Sequence, residues 1–160
     1  MEGRMAFNSA LARETIEQRR STPGAALPIL HALQERFGYI GDEAITLMAQ
    51  ALNISKAEAL GVASFYPDFR REPVDGRVMK LCRAESCQAM GCEDLVAHLE
   101  RRHGVTVDRA DPNAGLHVET VYCLGHCALS PAALLDGEPI ARLDPDKLDA
   151  IVAGTKARPQ

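Results

Sequence analysis

Five cysteines are the residues of this 160-residue chain that are best suited to chemistry, and they are not scattered. All lie between Cys82 and Cys127, and the first 81 residues contain none. Four residues separate Cys82 from Cys87, three separate Cys123 from Cys127, and 35 lie between the two pairs. Two such pairs can present four thiolates to a metal centre if the fold brings them together.

Two kinds of centre take four thiolates. A structural zinc site holds one ion and often uses a C-x₂-C turn, within a range of two to four intervening residues. A [2Fe-2S] cluster is larger, because each iron takes one pair and the loops must also enclose the bridging sulfides. Spacings of four and three favour the cluster but leave zinc and plain reduced thiols open. They do not match the C-x₄-C-x₂-C run of plant-type ferredoxins.

The neighbours of these cysteines have simpler expected roles. Gly125 allows a left-handed turn in which backbone N–H groups approach sulfur. Cys92 lies inside a predicted helix, and we expect a small buried apolar residue there. His126 could replace a thiolate, as histidines do at Rieske centres, but with four cysteines available we expect a loop residue near solvent. Glu85 is expected to be exposed.

The second part of the chain predicts a small sheet with helices packed on it, in the order β-α-β-β-α. Arg77–Cys82 and residues 116–123 are predicted strands, and residues 133–142 form a hairpin with Asp136 and Gly137 at its turn. Helices are predicted over residues 90–103 and from Pro145 to a stop at Gly154. Each cysteine pair then sits on a loop at the carboxyl end of a strand. If those strands are neighbours, the four sulfurs converge.

The first part predicts helices only. Apolar periodicity indicates helices over residues 8–20 and 27–37, with Pro23 at an early position of the second and Gly38 at its end. Asp42 is predicted to cap a third helix, and Ser55 with Glu58 forms the capping-box pattern of a fourth. The expected fold is therefore α+β. A helical segment, 1–72, precedes a second domain, 77–155.

Composition and charge exclude several function classes. The net charge is −4, and it divides evenly, with 8 basic and 10 acidic residues in 1–76 and 10 and 12 in 77–160. With no Trp, four Phe and three Tyr, the chain lacks a basic, aromatic surface for nucleic acid. Without a long apolar run or a signal-peptide core, we expect no membrane insertion and a cytoplasmic location. Nucleotide-binding and hydrolase motifs are absent from the sequence, which favours an electron carrier over a catalyst.

Three stretches carry a family resemblance that covers roughly residues 23–153: LPILHALQERFGYI (27–40), GVASFY (61–66) and ETVYCLGHC (119–127). With the two cysteine pairs, they resemble the thioredoxin-like [2Fe-2S] ferredoxin subunits associated with NAD-linked flavoproteins. These include the 24 kDa-type subunit of respiratory complex I, the diaphorase-side small subunit of NAD-reducing hydrogenases and the gamma subunit of soluble NAD-dependent formate dehydrogenases.

The resemblance implies a function as well as a fold. It implies a thioredoxin-like domain after a helical, partner-docking segment, and one [2Fe-2S] cluster held by Cys82, Cys87, Cys123 and Cys127. It also implies a larger partner that holds FMN and binds NAD.

One stretch, LCRAESCQAMG (81–91), is similar to the gamma subunit of the molybdenum-containing NAD-dependent formate dehydrogenase. In that complex, formate and NAD⁺ become CO₂ and NADH, and partner subunits carry the molybdenum cofactor and further Fe–S clusters. A hydrogenase or complex I subunit is the alternative. Two alternatives belong to other functional classes. A scaffold protein stabilised by zinc is compatible with the sequence, whereas a thiol oxidoreductase would need a C-x-x-C pair, which the sequence lacks.

Overall fold

The computed structural model describes residues 5–74, 76–109 and 115–156. The chain divides between Pro73 and Val74 into two compact units. We call them the helical unit and the sheet unit. In the described parts of the chain, no helix is long and apolar enough to span a bilayer.

The helical unit contains four helices, which pack around a buried apolar core. They are α1 (Ser9–Glu17), α2 (Ala26–Phe37), α3 (Asp42–Leu52) and α4 (Lys56–Phe65). The predicted end of α2 is confirmed, because Gly38 adopts a left-handed φ of 84°. The predicted capping box is also confirmed: the Ser55 side chain accepts from the Glu58 N–H, and the Glu58 carboxylate accepts from the Ser55 N–H. Local hydrogen bonding therefore sets where these helices begin and end.

Two predicted details of helix starts were wrong. Pro23 lies before α2, which begins at Ala26. Asp42 is the first residue of α3, and Gly41 takes the capping position without a side-chain hydrogen bond. The Asp42 carboxylate instead accepts a hydrogen bond from the Arg71 guanidinium. An acidic residue in the first turn still interacts favourably with the positive end of the helix dipole.

The sheet unit is built on four strands in the order β2-β1-β3-β4. The strands are β1 (Arg77–Cys82), β2 (Leu116–Val121), β3 (Ala133–Leu135) and β4 (Glu138–Ile140). β1 pairs in parallel with β2 and antiparallel with β3, and β3 with β4 forms the predicted hairpin. Its turn residues Asp136 and Gly137 have φ values of 52° and 91°. The predicted α+β class is confirmed, with the hairpin supplying two of the strands.

The helices of the sheet unit differ from the prediction in two places. The single helix predicted over 90–103 is instead α5 (Glu85–Ala89), α6 (Cys92–His98) and a π-helical turn, Leu99–His103. Gly91, with a φ of 86°, separates α5 from α6. The last helix, α7 (Pro145–Lys156), runs past Gly154. A glycine inside a helix costs only about 1 kcal/mol relative to alanine, so it does not by itself stop one.

The core of the sheet unit holds β1 in place. Met79 and Leu81 of β1 are fully buried, together with Leu99, Leu116 and Leu148. Because β1 lies between β2 and β3, both of its edges are hydrogen-bonded. The carboxyl end of this strand is therefore a rigid support for the residues that follow it.

Candidate metal centre

Parallel pairing brings the two cysteine pairs to one edge of the sheet. Cys82 is the last residue of β1, and its register partner is Val121, the last residue of β2. Cys123 follows two residues later. The Arg83 N–H continues the pairing by donating to the Val121 carbonyl at 2.9 Å. The sequence leaves open whether these two strands are neighbours, and in the structure they are. Cys87, predicted in a loop, lies on the short helix α5 instead.

The second pair lies on a tightly turned loop. Cys123 and Gly125 both have a left-handed φ of 77°. The conformation predicted for Gly125 is confirmed, and a Cβ there would meet no atom within 4 Å. For a cysteine the same conformation costs roughly 1–2 kcal/mol. Strained backbone of this kind is concentrated at functional sites.

The sulfur positions favour two metal atoms over one. Cys123 Sγ and Cys127 Sγ lie 3.9 Å apart. A tetrahedral metal with metal–sulfur distances near 2.3 Å places its sulfurs about 3.8 Å apart, so this pair fits a single metal atom. Among the described residues, no three cysteine sulfurs lie within 4.8 Å of one another. A single zinc ion would need all four at close range, whereas two irons would each take one pair.

The four thiols lie close enough for their charges to interact. The pKa of Cys127 is raised by its hydrogen bond to Cys123 and by that residue's charge, and further by the charges of Cys82 and Cys87. Four thiolates repel one another and ionise together only around a cation. The donor set therefore fits a metal cluster. Cys82 and Cys87 are buried and Cys123 and Cys127 are exposed, so the site reaches from the interior to the surface.

The surroundings of Cys82 favour its thiolate form. Burial acts to raise its pKa, but hydrogen bonds to the sulfur outweigh burial and lower it. These bonds come from the Cys87 side chain and from three backbone groups, those of Ala84, Cys123 and Leu124. Backbone N–H groups directed at a sulfur stabilise its negative charge in the same way when the sulfur is bound to a metal.

A buried serine, Ser130, adds a polar contact that sequence reasoning missed. Its Oγ lies 3.5 Å from Cys87 Sγ and 2.8 Å from Ser86 Oγ, and it donates to the Cys127 carbonyl at 2.8 Å. Ser130 thereby links both cysteine pairs. It lies 43 residues after Cys87, so no local pattern could have revealed the contact.

The remaining residues of the region behave largely as predicted. Cys92 is fully buried against Cys82 and Cys87. Burial, and then the charges of Glu93 and Cys87, raise its pKa to about 11, which keeps it a neutral thiol. His126 lies in the loop, half-buried, with Nδ1 2.9 Å from the Leu124 carbonyl. Glu85 is exposed on α5.

Large exposed apolar residues of the sheet unit lie close in sequence to the predicted ligands. In the described part of the sheet unit, each large exposed apolar residue lies within three positions of a predicted ligand. They are Met90, Tyr122, which is 76% exposed, and Leu129. We call these three residues the apolar collar. Exposed apolar groups gathered in one region are typical of contact surfaces.

Similar proteins give the context of this site. The chain is 30% identical over 152 residues to NADH-quinone oxidoreductase subunit 2 of Thermus thermophilus, covering 94% of this chain and 82% of the relative. It is 25% identical over 146 residues to a subunit of the NADP-reducing hydrogenase of Solidesulfovibrio fructosivorans, covering 89% and 85%.

A solved structure and a family profile agree with these relatives. The crystal structure of an air-oxidised NAD⁺-reducing [NiFe]-hydrogenase matches 88% of this chain with a TM-score of 0.73 and 26% identity. This chain spans only 24% of that solved chain. The profile of the thioredoxin-like [2Fe-2S] ferredoxin family matches residues 12–156. The chain belongs to the thioredoxin-like [2Fe-2S] ferredoxin family.

Proposed function

We propose that this chain is an electron-transfer subunit that exchanges single electrons with the FMN of an NAD-binding partner. Its one [2Fe-2S] cluster is held by Cys82, Cys87, Cys123 and Cys127. The observation that carries the proposal is the convergence of the two cysteine pairs at one edge of the sheet, with the exposed pair at the spacing of two ligands on one metal atom. When bound, an all-thiolate cluster of this kind supplies a one-electron centre of low potential, about −400 mV in plant-type ferredoxins.

The protein holds the proposed cluster ligands rigidly and leaves one cysteine pair accessible to a partner. Cys82 is fixed at the end of the central strand, and Cys127 begins a 3₁₀ turn, Cys127–Leu129, that is tied to Ser86 and Ser130. A framework held in this way changes little when the charge of the site changes. Because Cys123 and Cys127 are exposed, a partner can approach this pair closely. The apolar collar supplies contact area around the point of approach.

The helical unit supplies a second surface for the partner. Phe65, at the end of α4, is 76% exposed, and the next residue, Tyr66, and Leu60 earlier on α4 are also exposed. The Phe65 and Tyr66 rings are in edge contact, with centroids 5.1 Å apart, and Tyr66 contacts Phe69 at 5.9 Å. Aromatic residues are enriched in protein interfaces. This group supports docking of the flavoprotein on the helical segment, residues 1–72.

Within this class, we assign the chain to an NAD-dependent formate dehydrogenase. The support is the stretch 81–91, which resembles the gamma subunit of the molybdenum-containing enzyme. Formate would be oxidised at the molybdenum centre of another subunit and NAD⁺ reduced at the flavin, so this chain would bind neither substrate. The relatives named above are NADH-quinone oxidoreductase and hydrogenase subunits, so membership of either of those complexes is supported as well as the formate dehydrogenase assignment is.

Two measurements test these proposals separately. Anaerobically purified chain should contain iron and inorganic sulfide at about two of each per chain, and should give an EPR signal after reduction with dithionite. A colourless protein with zinc would contradict the cluster and support the scaffold alternative. Native co-purification followed by metal analysis tests the complex. Molybdenum is expected, whereas nickel or a membrane-bound assembly would contradict the formate dehydrogenase assignment and leave the cluster intact.

A further inference from the structure

Two histidines and an aspartate of the sheet unit converge at a place that the cluster does not use. His98 is the last residue of α6, His103 is the last residue of the π-helical turn, and Asp149 lies on α7. Both imidazole Nε2 atoms lie 2.7 Å from the same carboxylate oxygen, Asp149 Oδ1. One ligand atom from each of the three residues lies within 4.8 Å of the other two, and all three residues are half-buried.

The π-helical turn is what makes this convergence possible. His98 and His103 are five residues apart, and in a regular α-helix such residues point about 140° away from each other. A π turn is wider, with hydrogen bonds from residue i to i+5, so residues five apart fall on the same side. The chain is π-helical over Leu99–His103, and this geometry directs the imidazole rings of His98 and His103 at Asp149. Single π turns are rare and frequently occur at functional sites.

We propose that His98, His103 and Asp149 bind one divalent transition-metal ion of the Zn²⁺ class. Two imidazole nitrogens and one carboxylate oxygen are a common ligand set for such ions, which take a water as the remaining ligand. Tetrahedral ligand atoms about 2.0–2.1 Å from zinc lie about 3.3 Å apart, so each nitrogen has to move about half an ångström from Oδ1. Each bound Nε2 must be free of a proton, so a neutral ring with its proton on Nε2 changes to the Nδ1–H tautomer, whereas a protonated ring releases its Nε2 proton to water.

Arg102 positions the carboxylate for this role. Its Nε lies 2.9 Å from Asp149 Oδ2, the oxygen that does not face the rings. The pKa of Asp149 is lowered to about 2, first by the hydrogen bonds from His98 and His103 and then by the charges of Arg102 and His98. The carboxylate is therefore ionised and held with Oδ1 toward the imidazoles. A partner of this kind on the second oxygen is a usual feature of metal sites.

The metal would connect two helical segments of the sheet unit. Two ligands come from the α6 segment and one from α7, so an ion at this point joins the last helix to the helix that follows the cysteine region. An ion that binds only the folded chain raises its stability with concentration. Hydrogen bonds alone would not make the stability depend on zinc.

The test is a zinc titration of the full, cluster-loaded chain under anaerobic conditions. Native protein, His103→Gln and Asp149→Asn are compared, with His31→Gln as the matched control because His31 is exposed on α2 of the helical unit. All four proteins carry the same five cysteines, so zinc taken up by thiols is equal in all of them. Visible absorbance is recorded throughout to detect displacement of iron.

Native protein and His31→Gln should bind about one Zn²⁺ more per chain than the other two variants, and their Tm should rise as zinc is added. Each ligand substitution should weaken this binding at least about tenfold. Equal stoichiometry and affinity in native protein and both ligand variants would overturn the proposal. So would a Tm of the native protein that does not change with zinc. If one variant does not fold, the other gives the same comparison.

Discussion

Replacing Ser130 by alanine should lower the reduction potential of the proposed cluster. In the structure the Cys87 thiol donates to Ser130 Oγ at 3.5 Å. A metal-bound thiolate has no proton to donate, so the direction of this bond must reverse, with the serine hydroxyl donating to sulfur. The Ser130 hydroxyl would then no longer donate to the Cys127 carbonyl, but this carbonyl still accepts a hydrogen bond from Ser86 Oγ at 3.1 Å. The Ser130 proton is therefore available for the Cys87 sulfur.

The size of the effect follows from the strength of one hydrogen bond. A buried hydrogen bond contributes about 0.5–1.5 kcal/mol net, and more when one partner is charged. Reduction adds one negative charge to the site, so the reduced state loses more than the oxidised state when the donor is removed. If this difference is taken as one such hydrogen bond, about 0.5–1.5 kcal/mol, the conversion at about 59 mV and 1.36 kcal/mol per factor of ten gives a potential roughly 20–60 mV lower.

The measurement is an EPR-monitored redox titration of the purified, cluster-loaded chain. Ser130→Thr keeps a hydroxyl and should restore most of the native potential. Ser64→Ala is the matched control, because the Ser64 hydroxyl bonds to the Gly61 carbonyl in the helical unit. A native or higher potential in Ser130→Ala, with the visible spectrum intact, would show that no hydroxyl–sulfur bond acts on the cluster. The hydrogen bond inferred from the Ser130 hydroxyl to the Cys87 sulfur would then be wrong.

Four further predictions concern binding and stability. Serine at any of the four predicted ligands should abolish the visible spectrum and lower stability, because metal binding and folding are linked, whereas Cys92→Ser should keep the spectrum; the reverse pattern would refute the ligand set. Ser55→Ala should reduce the free energy of unfolding by about 1 kcal/mol in denaturant titrations, and an unchanged value would contradict the importance of the capping box. Phe65→Ser should reduce co-purification of the flavoprotein partner without altering the spectrum, while Glu35→Ala, also at an exposed site, should not; equal recovery would remove Phe65 from the interface. Asp149→Asn should lower Tm in metal-free buffer above about pH 4, where the carboxylate of the unsubstituted protein is ionised in both the folded and the unfolded state. The Tm difference between the two proteins should disappear toward pH 2, near the folded-state pKa of about 2. A Tm difference that persists at about pH 2 would show that the charge of Asp149 does not cause it.

Features governed by neighbouring residues could be predicted from the sequence. The bounds of β1, the turn at Asp136 and Gly137 and the capping box of α4 all follow from patterns of a few residues. The sequence also places each cysteine pair after a strand, but that these strands pair in parallel, with both carboxyl ends at one edge of the sheet, is known only from the structure. In these regions local preference and the final fold agree.

The region from residue 85 to 103 could not be predicted in the same way. α5 is only five residues long, too short to display a helical period, so the sequence predicts a loop at Cys87. The apolar residues Leu95 and Leu99 keep a helical spacing through the start of the π-helical turn, and periodicity therefore predicted one regular helix. In the wider turn His98 and His103 both contact Asp149 of α7, which is distant in sequence, so no local pattern contains these contacts.

The conformation of Cys123 carries more information about the site than cysteine spacing does. Two residues later, Gly125 adopts the same φ of 77° without steric cost. The loop therefore has glycine where only the turn is required, and tolerates the penalty at Cys123, where a thiol is required as well. Its sulfur lies 3.9 Å from that of Cys127, so the strained residue is also one that is placed to bind a metal. A cysteine held in a left-handed conformation beside a second thiol thus indicates a ligand position on physical grounds, whereas C-x₃-C spacing alone is compatible with zinc, iron or free thiols.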